Sequence, residues 1–175
     1  LAGQLEPGTL EAKGTPVQLV APSYETTVVG HRLRIQIPQR LITVDGGDEA
    51  VLKFREGEIH APLVQYRLPA AGSNQKLGEM SAAGRGWLKA IVAKDRPHEP
   101  LEVTWATSMR LSRETETPVL SVIGRPRLRM PGVGRLMADQ MHVYLQEHGP
   151  DGPAAVTPDR LVATGAVSID APELS

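Results

Sequence analysis

No cysteine occurs in the 175 residues of this chain, which excludes disulfides and thiolate metal sites. Aromatic side chains are scarce, with two Trp, three Tyr and one Phe, so any core must be mainly aliphatic. No apolar run approaches the roughly 20 residues that a membrane-spanning helix requires, and no signal-peptide pattern is visible. Charge of one sign is also missing. With 19 basic and 20 acidic residues the formal net charge is −1, and no global field draws in nucleic acid or an anionic membrane. Seventeen Gly and 15 Pro, by contrast, are many, and a proline interrupts any helix it falls inside. The length suits one domain spanning 1–175 with a core of its own. Beginning at Leu1 and stopping just after an alternating segment, the chain reads as a fragment of a longer protein, its targeting segment outside the piece.

What is present is alternation. In "LVATGAVSID" (161–170), Leu161, Ala163, Gly165, Val167 and Ile169 fall on one side of a period-two pattern, with Val162, Thr164, Ala166, Ser168 and Asp170 on the other. That is the pattern of a strand with unlike faces. Ala and Gly stand in the middle of the apolar face, where Val or Ile would pack better. The same arrangement of an apolar residue, any residue, Ala or Val, any residue, then Gly recurs at 10–14, 42–46, 80–84, 120–124 and 161–165, at starts 32, 38, 40 and 41 residues apart. Self-similarity at such a period marks a repeated supersecondary unit. A small residue at one point of every unit lets a sheet bend there, or lets opposite walls approach.

The remainder of the unit recurs too. "GEIHAPLVQYRL" (57–68) and "GRLMADQMHVYL" (134–145) share a Gly, an Ala and an apolar stretch with Tyr. The second could pass for a helix, but its likeness to the first, which carries Pro62 mid-segment, argues for a bulged strand. Alternation also runs through Leu33, Ile35 and Ile37, through Leu101, Val103, Trp105, Thr107, Met109 and Leu111, and through Leu120 to Met130. Strands joined by turns such as "DGGDE", "AAGSNQ" and "HGPDGP" give more than ten, mostly antiparallel, with one apolar face that must fold over to be buried.

The run "GVGRLMADQMHVYLQ…VTPDRLVATGAVSIDAP" resembles the OstA-like, LptA-type family of lipopolysaccharide-transport proteins, through Gly134, Leu136, Ala138, Asp139, Val143, Leu161, Ala163, Gly165 and Val167. Residues 57–90 fit less closely, Pro62 following Ala61 where the family has an acid and Gly86 standing where it has Val. The first 50 residues match through the short motif alone. The resemblance implies an all-β, open β-jelly roll, two curved sheets facing each other. It implies a periplasmic, cell-envelope location and an aliphatic groove for the acyl chains of lipopolysaccharide or a similar lipid. Like domains would stack edge to edge as partners. Inward residues Ile35, Ile37, Leu88, Val103, Met109, Leu128, Met130, Val143 and Ile169 would line that groove, or else form an ordinary dry core. If Val103 lines a groove, an aspartate there removes lipid retention while only weakening the fold.

Catalysis has little to stand on. The five His (31, 60, 98, 142 and 148) show no close ligand spacing, so no metal is expected; His60 and His142 occupy similar places in their repeats. No Ser stands in a nucleophile elbow. "GRGWLKA" (84–90) lacks the Lys-Ser or Lys-Thr of a phosphate loop, and "PGVGR" (131–135) reads as a hairpin turn. Neither enzymatic activity nor a cofactor is expected. Arg125, Arg127 and Arg129 alternate onto one face, where they could meet phosphate or carboxylate groups of a lipid headgroup or simply keep an edge strand soluble. Arg32 and Arg34 are read the same way. Two functions remain, a lipid conduit and a structural module that stacks through open sheet edges. They differ in whether the interior is wider than side chains can fill.

Overall fold

The computed structural model describes residues 8–22, 25–54, 57–73, 75, 77–91, 100–130, 134–147 and 156–171. Among these the chain is all β, a strongly curled open antiparallel sheet forming a half-barrel, as an open β-jelly roll requires. The strands are β1 (Thr9–Ala21), β2 (Thr26–Gln36), β3 (Leu41–Phe54), β4 (Gly57–Arg67), β5 (Glu79–Ala83), β6 (Gly86–Ala90), β7 (Leu101–Trp105), β8 (Ser108–Glu114), β9 (Thr117–Ile123), β10 (Arg127–Met130), β11 (Gly134–Met137), β12 (Gln140–Glu147), β13 (Val156–Thr164) and β14 (Ser168–Asp170). The first four pair in sequence order along their length. Beyond β4 the sheet divides into two arms. One arm runs β4-β5-β8-β9-β12-β13 and the other β4-β6-β7-β10-β11-β14.

Each later repeat is one long strand broken at a corner, its first half in one arm and its second in the other. The corners are where the repeat glycines stand. Gly84, Gly124 and Gly165 have φ of +85°, +93° and +89°, a left-handed backbone that side chains with a Cβ adopt at a cost. The earlier copies work differently. Gly14 and Gly46 fall where the β1–β2 and β3–β4 registers slip, so there the strand bends at a bulge without breaking. The bulge at Gly46 holds "DGGDE", which lies inside β3; the expectation that it joins two strands is corrected. Asp45 Oδ1 accepts from the Gly47 amide (2.9 Å), a local turn that the ladder absorbs. "AAGSNQ" does join β4 to β5. "HGPDGP" and the Pro131–Val133 part of "PGVGR" lie outside the described residues, although β10 and β11 on either side of the latter pair antiparallel. The segment 134–147 is strand, as its likeness to β4 implied, but the expectation of one bulged strand is corrected: a corner at Ala138 and Asp139 divides it into β11 and β12, which lie in different arms.

Corner residues are knitted to one another. The Gly84 amide donates to Thr107 O (2.9 Å), Ala106 to Gly124 O (2.8 Å), Gly124 to Asp139 O (3.3 Å) and Asp139 to Thr164 O (3.0 Å). Trp105 Nε1 donates to Gly84 O (2.9 Å). This crease satisfies backbone groups that the corners would otherwise leave unpaired.

Because the side-chain period carries through each corner, the inward face stays apolar in both arms. One row runs strand to strand through Leu19, Val28, Leu52, Ile59, Leu88, Val103, Leu128, Leu136 and Ile169. In the other arm a second row runs Ala12, Leu33, Val44, Val64, Ala82, Met109, Val122, Met141 and Ala163, and beside it a third runs from Leu10 through Ile35, Ile42, Tyr66, Met80, Leu111, Leu120 and Val143 to Leu161. No polar or charged residue is buried among the described residues. Each fully buried Val or Ile stabilises by about 1.5–3 kcal/mol, and the rows between them supply the core.

The outer face is polar and cross-linked in the same registers. Arg34 bonds Glu11 (3.2 Å), Gln65 bonds Thr43 (3.4 Å), and Ser121 Oγ lies 2.9 Å from His142 Nδ1. Glu11 also meets Lys13 and Arg32, and Arg34 first, then Lys13, hold its carboxyl below the usual glutamate range. At one end of an arm Arg113, only 15% exposed at its side chain, donates to Glu147 Oε1 (2.8 Å), Leu77 O (3.2 Å) and Glu116 O (3.1 Å), while the Leu77 amide donates to Glu147 Oε1 (2.9 Å). Arg113→Ala takes the guanidinium away from that carboxylate and from the Leu77 carbonyl together. It is expected to lower unfolding stability by about 2 kcal/mol, read as a shifted urea midpoint with unchanged slope.

Candidate functional site

The proposed groove residues fall into three settings. Leu88, Val103, Met109 and Leu128 are buried, at 7, 3, 1 and 6% exposure, in the central strands. Ile35, Met130 and Val143 are partly buried against that core. Ile37 and Ile169 are exposed, at 45% and 67%, for different reasons. Ile37 lies beyond the end of β2, in the turn before β3, so the alternation from Leu33 stops short of it. Ile169 is still in register with Leu136, but among the described residues β14 is the last strand of its arm and nothing beyond it covers the side chain. Leu10, at the opposite edge on β1, is exposed at 49% and also belongs to an inward row. The interior therefore opens at both edges and is sealed at its centre.

Of the three alternating arginines, Arg129 separates from the others. It lies across from Glu102, which neighbours Lys89, which neighbours Glu58 and then Lys53. Ion pairs join Arg129–Glu102 (3.6 Å), Lys89–Glu102 (3.5 Å) and Lys53–Glu58 (3.9 Å), an alternating ladder on the outer face. Arg127 is in register with Thr104, then Trp87, then His60, the row nearest the crease. Arg125 sits on the crease itself, with φ of +54° directly after left-handed Gly124. All three point away from the interior that Leu128 faces, so a lipid held between the arms does not reach them through the strand.

Around this outer row lies a cleft of about 610 Å³, lined by Asp48, Glu49, His60, Arg85, Trp87, Thr104, Arg125 and Arg127 together with Trp105 and small residues of the crease. His60 stacks on Trp87, with ring centroids 3.8 Å apart and planes 14° from parallel. Its Nε2 is 3.4 Å from Glu58 Oε2. The buried Nδ1 makes no hydrogen bond and lies 3.0 Å from Glu49 Oε1, an ion pair when the ring is protonated. Arg85 and Trp87 alternate with Gly86 and Leu88 in the sequence, but nothing there joins them to Arg127, because the register of β6, β7 and β10 is not written in local spacing. One signal was available. Arginine follows the repeat glycine in two units, at Gly84-Arg85 and Gly124-Arg125, and the crease brings both to one cleft.

His98 and His148 lie outside the described residues, and the described ones hold no group of three or more His, Cys, Asp or Glu that could hold a metal ion. Comparison with known proteins finds no matching family, no matching curated protein and no matching solved structure. The likeness to the OstA-like proteins rests on the repeat motifs alone.

Proposed function

We propose that this chain is a non-enzymatic cell-envelope protein of the lipopolysaccharide-transport type, working in the periplasm. It holds acyl chains of lipopolysaccharide or a related glycolipid between its arms and passes them along to like domains. The observation that supports this reading most is the set of aliphatic rows, free of buried polar groups, that run from one open edge to the other. Acyl chains need only dry aliphatic walls, worth about 0.8 kcal/mol per buried CH2, and the methionines of the second row add adaptable packing. In this reading chains are admitted at the edges, and the arms part as they pass.

Native mass spectrometry with solvent extraction, on protein made in cells that produce lipopolysaccharide, tests the proposal. An acylated lipid at fixed stoichiometry is expected. An empty protein that also refuses added lipid A overturns it. One observation favours a second reading, a stacking module without cargo: Ile59, Val64, Met109 and Val122 are each 2% exposed or less, leaving no solvent-filled slot beside them. Under that reading the protein is empty and still assembles through its edges.

A further inference from the structure

We infer that the outer cleft at the crease is a binding site for a small phosphate-type oxyanion, such as a phosphate ester or pyrophosphate. Three guanidinium groups line it, Arg85, Arg125 and Arg127, and they come from two different corners of the fold. No ion pair engages any of them among the described residues, although carboxylates elsewhere on the same face are paired with cations across neighbouring strands. Like charges gathered in one cleft repel, and a bound anion relieves that repulsion while using the fork of each guanidinium.

Two further features fit the same ligand. Arg125 keeps a left-handed backbone that costs free energy for any residue but glycine, and that conformation holds its side chain at the crease. His60 stands in the cleft wall with its buried Nδ1 3.0 Å from Glu49 Oε1, so when it carries the proton it occupies one of the two cleft carboxylates. The carboxylates present are Asp48 and Glu49. Glu49 lies against His60, so the lining stays net positive. Its charged groups stand on the face opposite Leu88 and Leu128, so the site does not rest on the lipid proposal and stands if that proposal fails.

The tryptophans provide the readout. The chain has two, Trp87 and Trp105, and both line the cleft. Sodium pyrophosphate titrated into the whole chain at constant ionic strength is expected to give a saturable change in tryptophan fluorescence. Arg127→Ala and Arg85→Ala should each weaken the apparent affinity by about tenfold or more. Arg129→Ala, outside the cleft and paired with Glu102, should leave it unchanged, with circular dichroism confirming that all three variants fold. No saturable change, or equal weakening in all three variants, overturns the inference. Vesicles containing phosphatidate distinguish the source of the phosphate. Arg127-dependent binding to vesicles without binding to pyrophosphate would replace the small-anion site with a membrane-surface contact.

Discussion

Gly124→Val is expected to destabilise this protein by about 3–5 kcal/mol, far more than a change at the repeat glycine Gly14. Three effects act at once. A β-branched residue is forced into φ of +93°. A Cβ at this position meets Thr107, and although the hydroxyl can rotate away, the backbone nitrogen at 2.6 Å cannot. Displacing Thr107 then breaks the crease bonds from Ala106 to Gly124 O and from Gly124 to Asp139 O. Such a loss is a large share of the 5–15 kcal/mol typical of a whole domain, so the variant should be largely unfolded or should melt well below the parent. Gly14→Val is the matched control. It changes the same repeat position, but the backbone there is not left-handed, and a Cβ meets the Val17 side chain at 3.2 Å on an edge strand that can shift. Its cost should stay below about 1 kcal/mol. Equal effects of the two changes, measured by urea unfolding, would refute the assignment of Gly124 to a corner.

Val103→Asp should also abolish cooperative folding. Val103 is 3% exposed and sits between Leu88 and Leu128 in the innermost row. A carboxylate there has no cation or donor in reach on that face, so it is buried uncompensated or drags its strand outward, a cost of about 4 kcal/mol or more. Moving the substitution by one residue removes the cost. Thr104 is exposed on the outer face, beside Arg127, and Thr104→Asp should change stability by less than about 0.5 kcal/mol. This burial reverses what an open groove at Val103 would allow, namely a folded variant that merely loses lipid. A Val103→Asp protein with an unchanged unfolding midpoint would restore the groove at that position.

The alternation and the repeat made the fold legible because both report on single strands. Leu120, Val122, Leu128 and Met130 keep one parity from end to end, so their common face could be read before anything was known of the corner between them. The regular Gly likewise marked where the strand bends. Which bends become corners and which remain bulges was not legible, because Gly46 and Gly124 occupy the same motif and differ in what packs across them. "DGGDE" shows the limit most clearly. Its composition is that of a turn, yet the long pairing of β3 with β2 and β4 on either side carries the ladder past it. The division of the three arginines was also out of reach. Glu102 faces Arg129 and Thr104 faces Arg127 only through the β7–β10 register, a contact across some 25 residues of chain that local spacing does not encode.

Both functional readings require that the apolar rows be continued by another copy at the open edges. The first and last strands of the sheet run in the same direction, so a head-to-tail joint would set β1 of one copy parallel to β13 and β14 of the next, repeating without closure. The most direct measurement uses the absence of native cysteine. With Leu19→Cys and Ile169→Cys in one chain, the two ends of the same inward row meet across the joint. Mild oxidation of concentrated protein is predicted to give a ladder of covalent oligomers, absent from either single variant beyond dimer. A double variant that stays monomeric and fully reduced under the same oxidant would contradict the account.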